Sequence, residues 1–312
     1  MIKKFAFFSL CSVLVCTTAC AQRVPGDVRI DDTAVFPESI TSTDDGTLYM
    51  GSVKGNVYRA APDSTTATAW IRHSPENGIL TILGVLADAK SNTLWLCSAP
   101  NFFGPERSEG VTALKAFDLK SGELKGSYDF PAPGGVCNDI TIAADGTAFA
   151  SDTGNGRIFT LAPGANELKL FGGDPSLVGI DGLAFSGDNV LIVNNVRTNQ
   201  LIRVDQNSDG TMGALKQLTL TTELGGPDGL RLVSGNRFIQ AEGTVGRIHL
   251  AEIDGDNAKI TVLDDTLESS PGVTVVGNTA YALESNIQYL VNPAMKGKEP
   301  AAFIVKAIEL PK

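Results

Sequence analysis

The 312-residue chain is short of most of what simple function classes require. Its only histidines are His73 and His249, and three of its five cysteines (Cys11, Cys16 and Cys20) fall near the N-terminus. The other two, Cys97 and Cys137, are too few for a tetrahedral zinc site or a disulfide framework, and whether they bridge one another stays open. HExxH, GxSxG and P-loop signatures are all missing, so the usual short catalytic motifs give no lead. No three- or seven-residue period is present, which excludes collagen and coiled coil. Basic residues number 25 against 35 acidic ones, a formal charge of −10. Such a chain repels phosphate backbones and anionic headgroups, so nucleic acid and membrane surfaces are poor partners and a metal cation is a better one.

What the chain has in quantity is glycine (33), proline (15) and aliphatic residues. Frequent Val, Ile and Leu rule out disorder, and so many turn formers favour an all-β protein. Lys3 and Lys4 precede an apolar run from Phe5 to Val15, and Ala19-Cys20-Ala21 has the small-x-small form of a signal-peptidase site. Residues 1–21 therefore read as a signal peptide, too short for a membrane span, and the product as exported to the periplasm or secreted. Acylation at Cys20 stays open beside simple cleavage, with Thr17 standing where lipoprotein sites usually carry Leu.

Residues 22–312 carry a weak repeat. Each copy opens at Pro37-Glu38-Ser39-Ile40, Ile82-Leu83-Gly84-Val85, Cys137-Asn138-Asp139-Ile140, Ile180-Asp181-Gly182-Leu183, Pro227-Asp228-Gly229-Leu230 or Ser270-Pro271-Gly272-Val273. A turn follows at Asp45-Gly46, Ser91-Asn92, Asp145-Gly146, Asp188-Asn189, Gly235-Asn236 or Gly277-Asn278, and then a second apolar strand. The spacing holds about four short strands and leaves no room for crossover helices. The expectation is one domain, a six-bladed β-propeller of four-stranded antiparallel blades around a central channel. The outermost strand of the last blade is expected at Phe303 to Ile308.

First strands line such a channel, and their starts share one face of the disc with the ends of the second strands. The column of ring positions reads Glu38, Leu83, Asn138, Asp181, Asp228 and Pro271. Any one Asp before Gly is usually a turn residue, but four aligned side-chain oxygens point to a cation. Oxygen-only ligands of mixed charge suit Ca²⁺, or another hard divalent cation, and disfavour zinc and copper.

Here the sequence resembles the family of senescence marker protein, gluconolactonase and luciferin-regenerating enzyme, within the calcium-dependent propellers that include paraoxonase and diisopropyl fluorophosphatase. Pro37-Glu38-Ser39, Asn138-Asp139, Asp181-Gly182-Leu183, Pro227-Asp228-Gly229-Leu230 and the strand ends Gly51-Ser52 and Ser151-Asp152-Thr153 carry the resemblance. It implies metal ligands at Glu38, Asn138, Asp181 and Asp228, with Asp228 as general base or nucleophile, and hydrolysis of a lactone, a related ester or a phosphotriester. The chain departs from the family at Asp181, usually Asn, and at Gly135-Val136-Cys137, where sugar lactonases tend to carry Arg. A strictosidine-synthase-like activity is less favoured, since nothing marks an amine and aldehyde pocket.

Walls for a small-molecule substrate are expected from the longest insertion, Ala99 to Glu109, with Phe102, Phe103 and Arg107, and from strand ends such as Asp152 and Glu242. A loop folded onto its own blade is an equal reading of that insertion. His73 reads as solvated surface, His249 is given no role, and Asp205 to Gly210, which imitates half of an EF-hand loop, reads as a hairpin turn. The rival to a hydrolase is a non-catalytic propeller that binds a ligand or protein, and a monomer is expected in either case.

Overall fold

The computed structural model describes residues 25–101, 103, 109–131 and 135–311. The expected signal peptide, with Cys20, therefore lies outside the described residues, as do Phe102 and Arg107. Among the described residues nearly all regular structure is β, with only short helical turns at Pro175–Leu177, Gln288–Val291 and Pro293–Met295. None of these helices is long and apolar enough to cross a membrane.

The turn chemistry explains the strands. In each of the six first hairpins one residue takes a positive φ: Gly46 at 89°, Asn92 at 52°, Gly146 at 90°, Asn189 at 61°, Gly235 at 53° and Gly277 at 59°. Glycine and asparagine are the residues that accept this conformation most easily, so the repeat recognised in the sequence is fixed by backbone sterics. The Asp205 to Gly210 segment is likewise a hairpin, joining Gln200–Gln206 to Met212–Gln217.

Three sheets have four strands in chain order, starting at Thr81–Asp88, Cys137–Ile142 and Ile180–Phe185. A fourth, starting at Pro227–Ser234, gains a fifth strand, Thr219–Leu220, parallel to Asn257–Asp264. The remaining sheet has eight strands, because Val28–Ile30 pairs antiparallel with Phe303–Glu309 and parallel with Thr66–Ile71. This corrects one expectation: Phe303–Glu309 is not the outermost strand of the last repeat. That place is taken by Val28–Ile30, whose Val28 and Ile30 are buried against Tyr281, Phe303 and Val305.

Burial falls from the axis outward. Leu48–Ser52 is buried along its whole length, whereas Leu124–Asp129, at the outer edge, is largely exposed. Inner strands pack on neighbours through both faces and so read as continuous apolar runs. Five apolar clusters fill the spaces between neighbouring sheets and a sixth packs within the eight-stranded one; in one of the five, Phe149 stacks edge-on to both Phe171 and Phe185 with centroids 5.1 Å apart. Buried aromatic pairs of this kind add about 0.5–1.5 kcal/mol beyond their area, which helps make the scaffold rigid enough to hold a site at its axis.

Candidate functional site

Five inner strands break register at the same place. Pairing with the second strand slips between Pro37 and Ser39, Ile82 and Gly84, Cys137 and Ile140, Ile180 and Leu183, and Pro227 and Leu230. Each interval contains a ring position: Glu38, Leu83, Asn138, Asp181 or Asp228. A β-bulge adds a residue on one side of a pair, and this re-aims a side chain that would otherwise alternate between the sheet faces. The sixth inner strand, Val273–Val276, pairs regularly, and Pro271 lies ahead of it.

Neighbouring inner strands touch at these bulges. A Cβ at Gly84 would collide with the Asn138 carbonyl and one at Gly182 with the Asp228 carbonyl, while the Gly229 amide donates to Pro271 O at 2.8 Å. Glycine after the ring residue is thus a close-approach requirement. Phe36, just before the first bulge, is held at φ 46° by edge-on packing against Phe303, centroids 5.2 Å apart. For a bulky residue this is a strained conformation, of the sort that persists when surrounding structure over-determines it.

Glu38, Asn138 and Asp181 are buried, and Asp228 keeps partial access to solvent. Asn138 Nδ2 donates to Asp181 Oδ2 at 2.7 Å and to Thr153 Oγ1 at 3.0 Å. Asp181 and Asp228 stand close enough for their carboxyls to interact directly. Burial, then the charge of Asp181, pushes the Glu38 carboxyl well above its ordinary range. Asp228 is raised by burial and by Asp181 and Glu38, and Asp181 by burial and Asp139. The three carboxyls therefore sense one another across the axis, although among the described residues no three His, Cys, Asp or Glu side chains already stand at metal-ligand spacing. Of the ring oxygens, Asp181 Oδ2 is engaged by the Asn138 amide.

Two features escaped the sequence reading, at Arg231 and His249, and the Cys97–Cys137 pairing that it left open is decided here. Arg231, on the strand of Asp228, reaches Asp139 with a two-pronged ion pair, Nη1 to Oδ2 at 2.6 Å and Nη2 to Oδ1 at 2.9 Å. An arginine in an inner strand, with Asp139 beside Asn138 in another, was the available signal. Cys97 and Cys137 form a disulfide with Cα atoms 5.0 Å apart, tying the neighbouring sheet to the residue before Asn138. His249, assigned nothing, is fully buried with Nδ1 3.2 Å from Glu242 Oε1.

Two expected substrate contacts are engaged by the chain itself. Asp152 is fully buried, and its oxygens accept from Arg157 Nε at 2.9 Å, from Arg157 Nη2 and from Val136 N at 2.9 Å. Glu242 is equally buried, accepting from Arg247 Nε and Nη2, both at 2.9 Å, and from Gly225 N at 3.2 Å. Both carboxylates close the hairpins that follow them and have little acceptor capacity left for a ligand. Phe103 is half-buried against the cluster containing Phe36 and Phe303, so that part of the insertion folds onto the scaffold. The axial cavity of about 500 Å³ lies at the other end of the channel, lined by Thr41, Thr141, Ser186, Thr274 and Arg231.

Comparison with solved structures places the fold among propellers. A luciferin-regenerating enzyme superposes with TM-score 0.65 at 12% identity, over 92% of this chain and 98% of its own. A gluconolactonase from Xanthomonas campestris gives 0.62 at 17%, over 90% and 88%. A calcium-binding regucalcin from Agrobacterium tumefaciens gives 0.62 at 16%, over 91% and 97%. The family described as strictosidine synthase-like, N-terminal, matches residues 28–60, a stretch that holds Val28–Ile30 and Glu38. No curated protein matches the chain by sequence.

Proposed function

We propose that the protein is a Ca²⁺-dependent hydrolase of a lactone or related ester, with the metal held at the ring by Glu38, Asn138, Asp181 and Asp228. The observation that carries this is the gathering of three raised carboxyls at the axis with no ion pair of their own among the described residues. Two buried acids, a third partly open to solvent and an amide are the donor set of a hard cation, and a cation would relieve the burial and repulsion that raise them. We read the eight-stranded sheet as the first and last of six blades, joined where Val28–Ile30 meets Thr66–Ile71.

When bound, Ca²⁺ supplies Lewis acidity toward a carbonyl or phosphoryl oxygen. The chain's own part falls to Asp228, the ring carboxyl most open to solvent. As a base it accepts a proton from the attacking water, and as an acid it returns that proton to the departing alkoxide. Thr153 Oγ1 fixes the Asn138 amide, which in turn holds Asp181. The names of the gluconolactonase and regucalcin neighbours support this reading. So does the likeness of ring residues noted in the sequence.

The second reading is a non-catalytic binding propeller, favoured by the lack of three acidic side chains at ligand spacing among the described residues. One experiment separates the two. Lactones, aryl esters and a phosphotriester are assayed with Ca²⁺, with chelator and with Asp228→Asn. The hydrolase reading expects turnover that chelator removes and that Asp228→Asn lowers by about 10³-fold or more with the fold intact. No turnover on any substrate, with no effect of chelator on Tm, favours the binding module. Export with removal of residues 1–21 belongs to the same proposal, supported by the leader pattern and by a disulfide suited to an oxidising compartment. So does a monomeric state.

A further inference from the structure

We propose that Arg231 is the positioning residue of the ring, a clamp that locks three bulged inner strands to one another and so fixes where Asn138 and Asp228 stand. This rests on reading the ring as the functional site. Arg231 donates to Asp139, directly after Asn138, through both terminal nitrogens. Its Nη1 also donates to the carbonyl of Leu230, where the bulge holding Asp228 ends, at 2.8 Å. Its Nη2 reaches the carbonyl of Val85, one residue past the bulge holding Leu83, at 3.3 Å.

One guanidinium thus spans three sheets at the points where each departs from regular pairing. Its planar fork is what the task requires: a lysine offers a point charge that cannot hold both carboxylate oxygens and two carbonyls in fixed directions. The side chains of Arg231 and Asp139 are 11% and 4% exposed, so the pair is shielded from salt and solvent. It also lies within electrostatic reach of the ring, since Arg231 lowers and Asp139 raises both Glu38 and Asp181. On the far side Arg231 lines the cavity at the opposite end of the channel, so the clamp stands between that cavity and the ring.

The alternative is a buried ion pair that merely contributes to stability. Removing one partner would strand a buried charge and confuse the two roles, so the test uses the double variant Arg231→Met/Asp139→Leu, which replaces the pair by apolar groups. Amide hydrogen exchange is followed in wild type and variant at Val85, Ile140 and Leu230, with the outer strand Lys169–Gly173 as reference, and Ca²⁺ binding is measured by calorimetry.

A clamp predicts exchange about tenfold or more faster at the three inner positions, with the outer strand unchanged, and Ca²⁺ affinity weaker by about 10–100-fold. A pair that only stabilises moves all these amides together, and that result, or unchanged exchange at the inner positions, overturns the clamp. Should the double variant not fold, Arg231→Lys decides: wild-type exchange at the three amides overturns the proposal, and local acceleration supports it. A wild-type protein that takes no Ca²⁺ removes the cation reading of the ring, while the exchange comparison still decides whether Arg231 positions it.

Discussion

Two sets of buried carboxylates stand near the same face of this protein, and they are treated in opposite ways. Asp152 and Glu242 lie fully buried at the ends of second strands, each gripped by an arginine that begins the next strand five residues on. Burial alone would raise Glu242, but contacts from His249 and Arg247 outweigh it and hold the carboxyl below its ordinary range. Glu38, Asp181 and Asp228 are gathered at the axis with no such partner among the described residues, and all three are pushed up. Arg231, which reaches the inner strands, is paired with Asp139. Among the described residues, then, each hairpin acid has an arginine and the ring acids have none, which leaves the ring able to take a positive charge from outside. An acid paired within the chain is neutralised there, and one left without such a pair can be neutralised by a ligand instead.

The sharpest way to break this contrast is to strip a hairpin acid of its partner. Arg247→Met leaves Glu242 buried with His249 and the Gly225 amide but without its arginine, and the expected loss is about 3 kcal/mol in denaturant unfolding, the low end for a broken buried pair because Arg247 keeps 23% exposure. A loss well under 1 kcal/mol would mean that the pairing is incidental. At the ring the sign reverses. Asp181→Asn, measured in chelator, should raise stability by about 1 kcal/mol, since it removes a repelling charge and keeps an oxygen for the Asn138 amide. A comparable loss would show that the ring is a stabilising network in its own right.

The gentlest effect is a slope with pH. Carboxyls raised in the folded state bind protons there that the unfolded chain has already lost. Their contribution is therefore present below the ordinary carboxylate range and disappears as pH rises toward about 7, the value to which Asp181 is pushed. Glu242, being lowered, contributes in the opposite sense: its stabilisation holds above its ordinary value and fades as pH falls below it. Cation-free protein should accordingly lose Tm between about pH 4 and pH 7, and Ca²⁺ should flatten that decline. A decline that Ca²⁺ leaves untouched would separate the ring from metal binding.

Much of the scaffold is legible in the sequence because its signals are local. The six positive-φ turns are written as Gly or Asn, and the polar column from Glu38 to Asp228 shows itself once the repeats are aligned. The pairing of Asp152 and Glu242 with arginines was not legible from their position, because the end of a second strand serves either a ligand or the hairpin beyond it. The Arg five residues later was the local clue that decides for the hairpin. The last repeat was misassigned for a different reason: its outer strand comes from Val28–Ile30, hundreds of residues away in the chain, and no local pattern names a partner across that distance.

What the sequence determines by itself, then, is periodic: an all-β chain of repeated hairpins, the turns that close them, and which residue of each repeat belongs to the ring. Those properties depend on sterics and on alternation within a few residues. Only the tertiary structure decides which acids find a positive partner, that Cys97 reaches Cys137, that Val28–Ile30 closes the sheet, and that Arg231 crosses the axis to Asp139. Pairings of that kind are set by distances between strands that the chain brings together from far apart. A burial cost or a charge takes its value from those neighbours, so it acquires a sign only once they are in place.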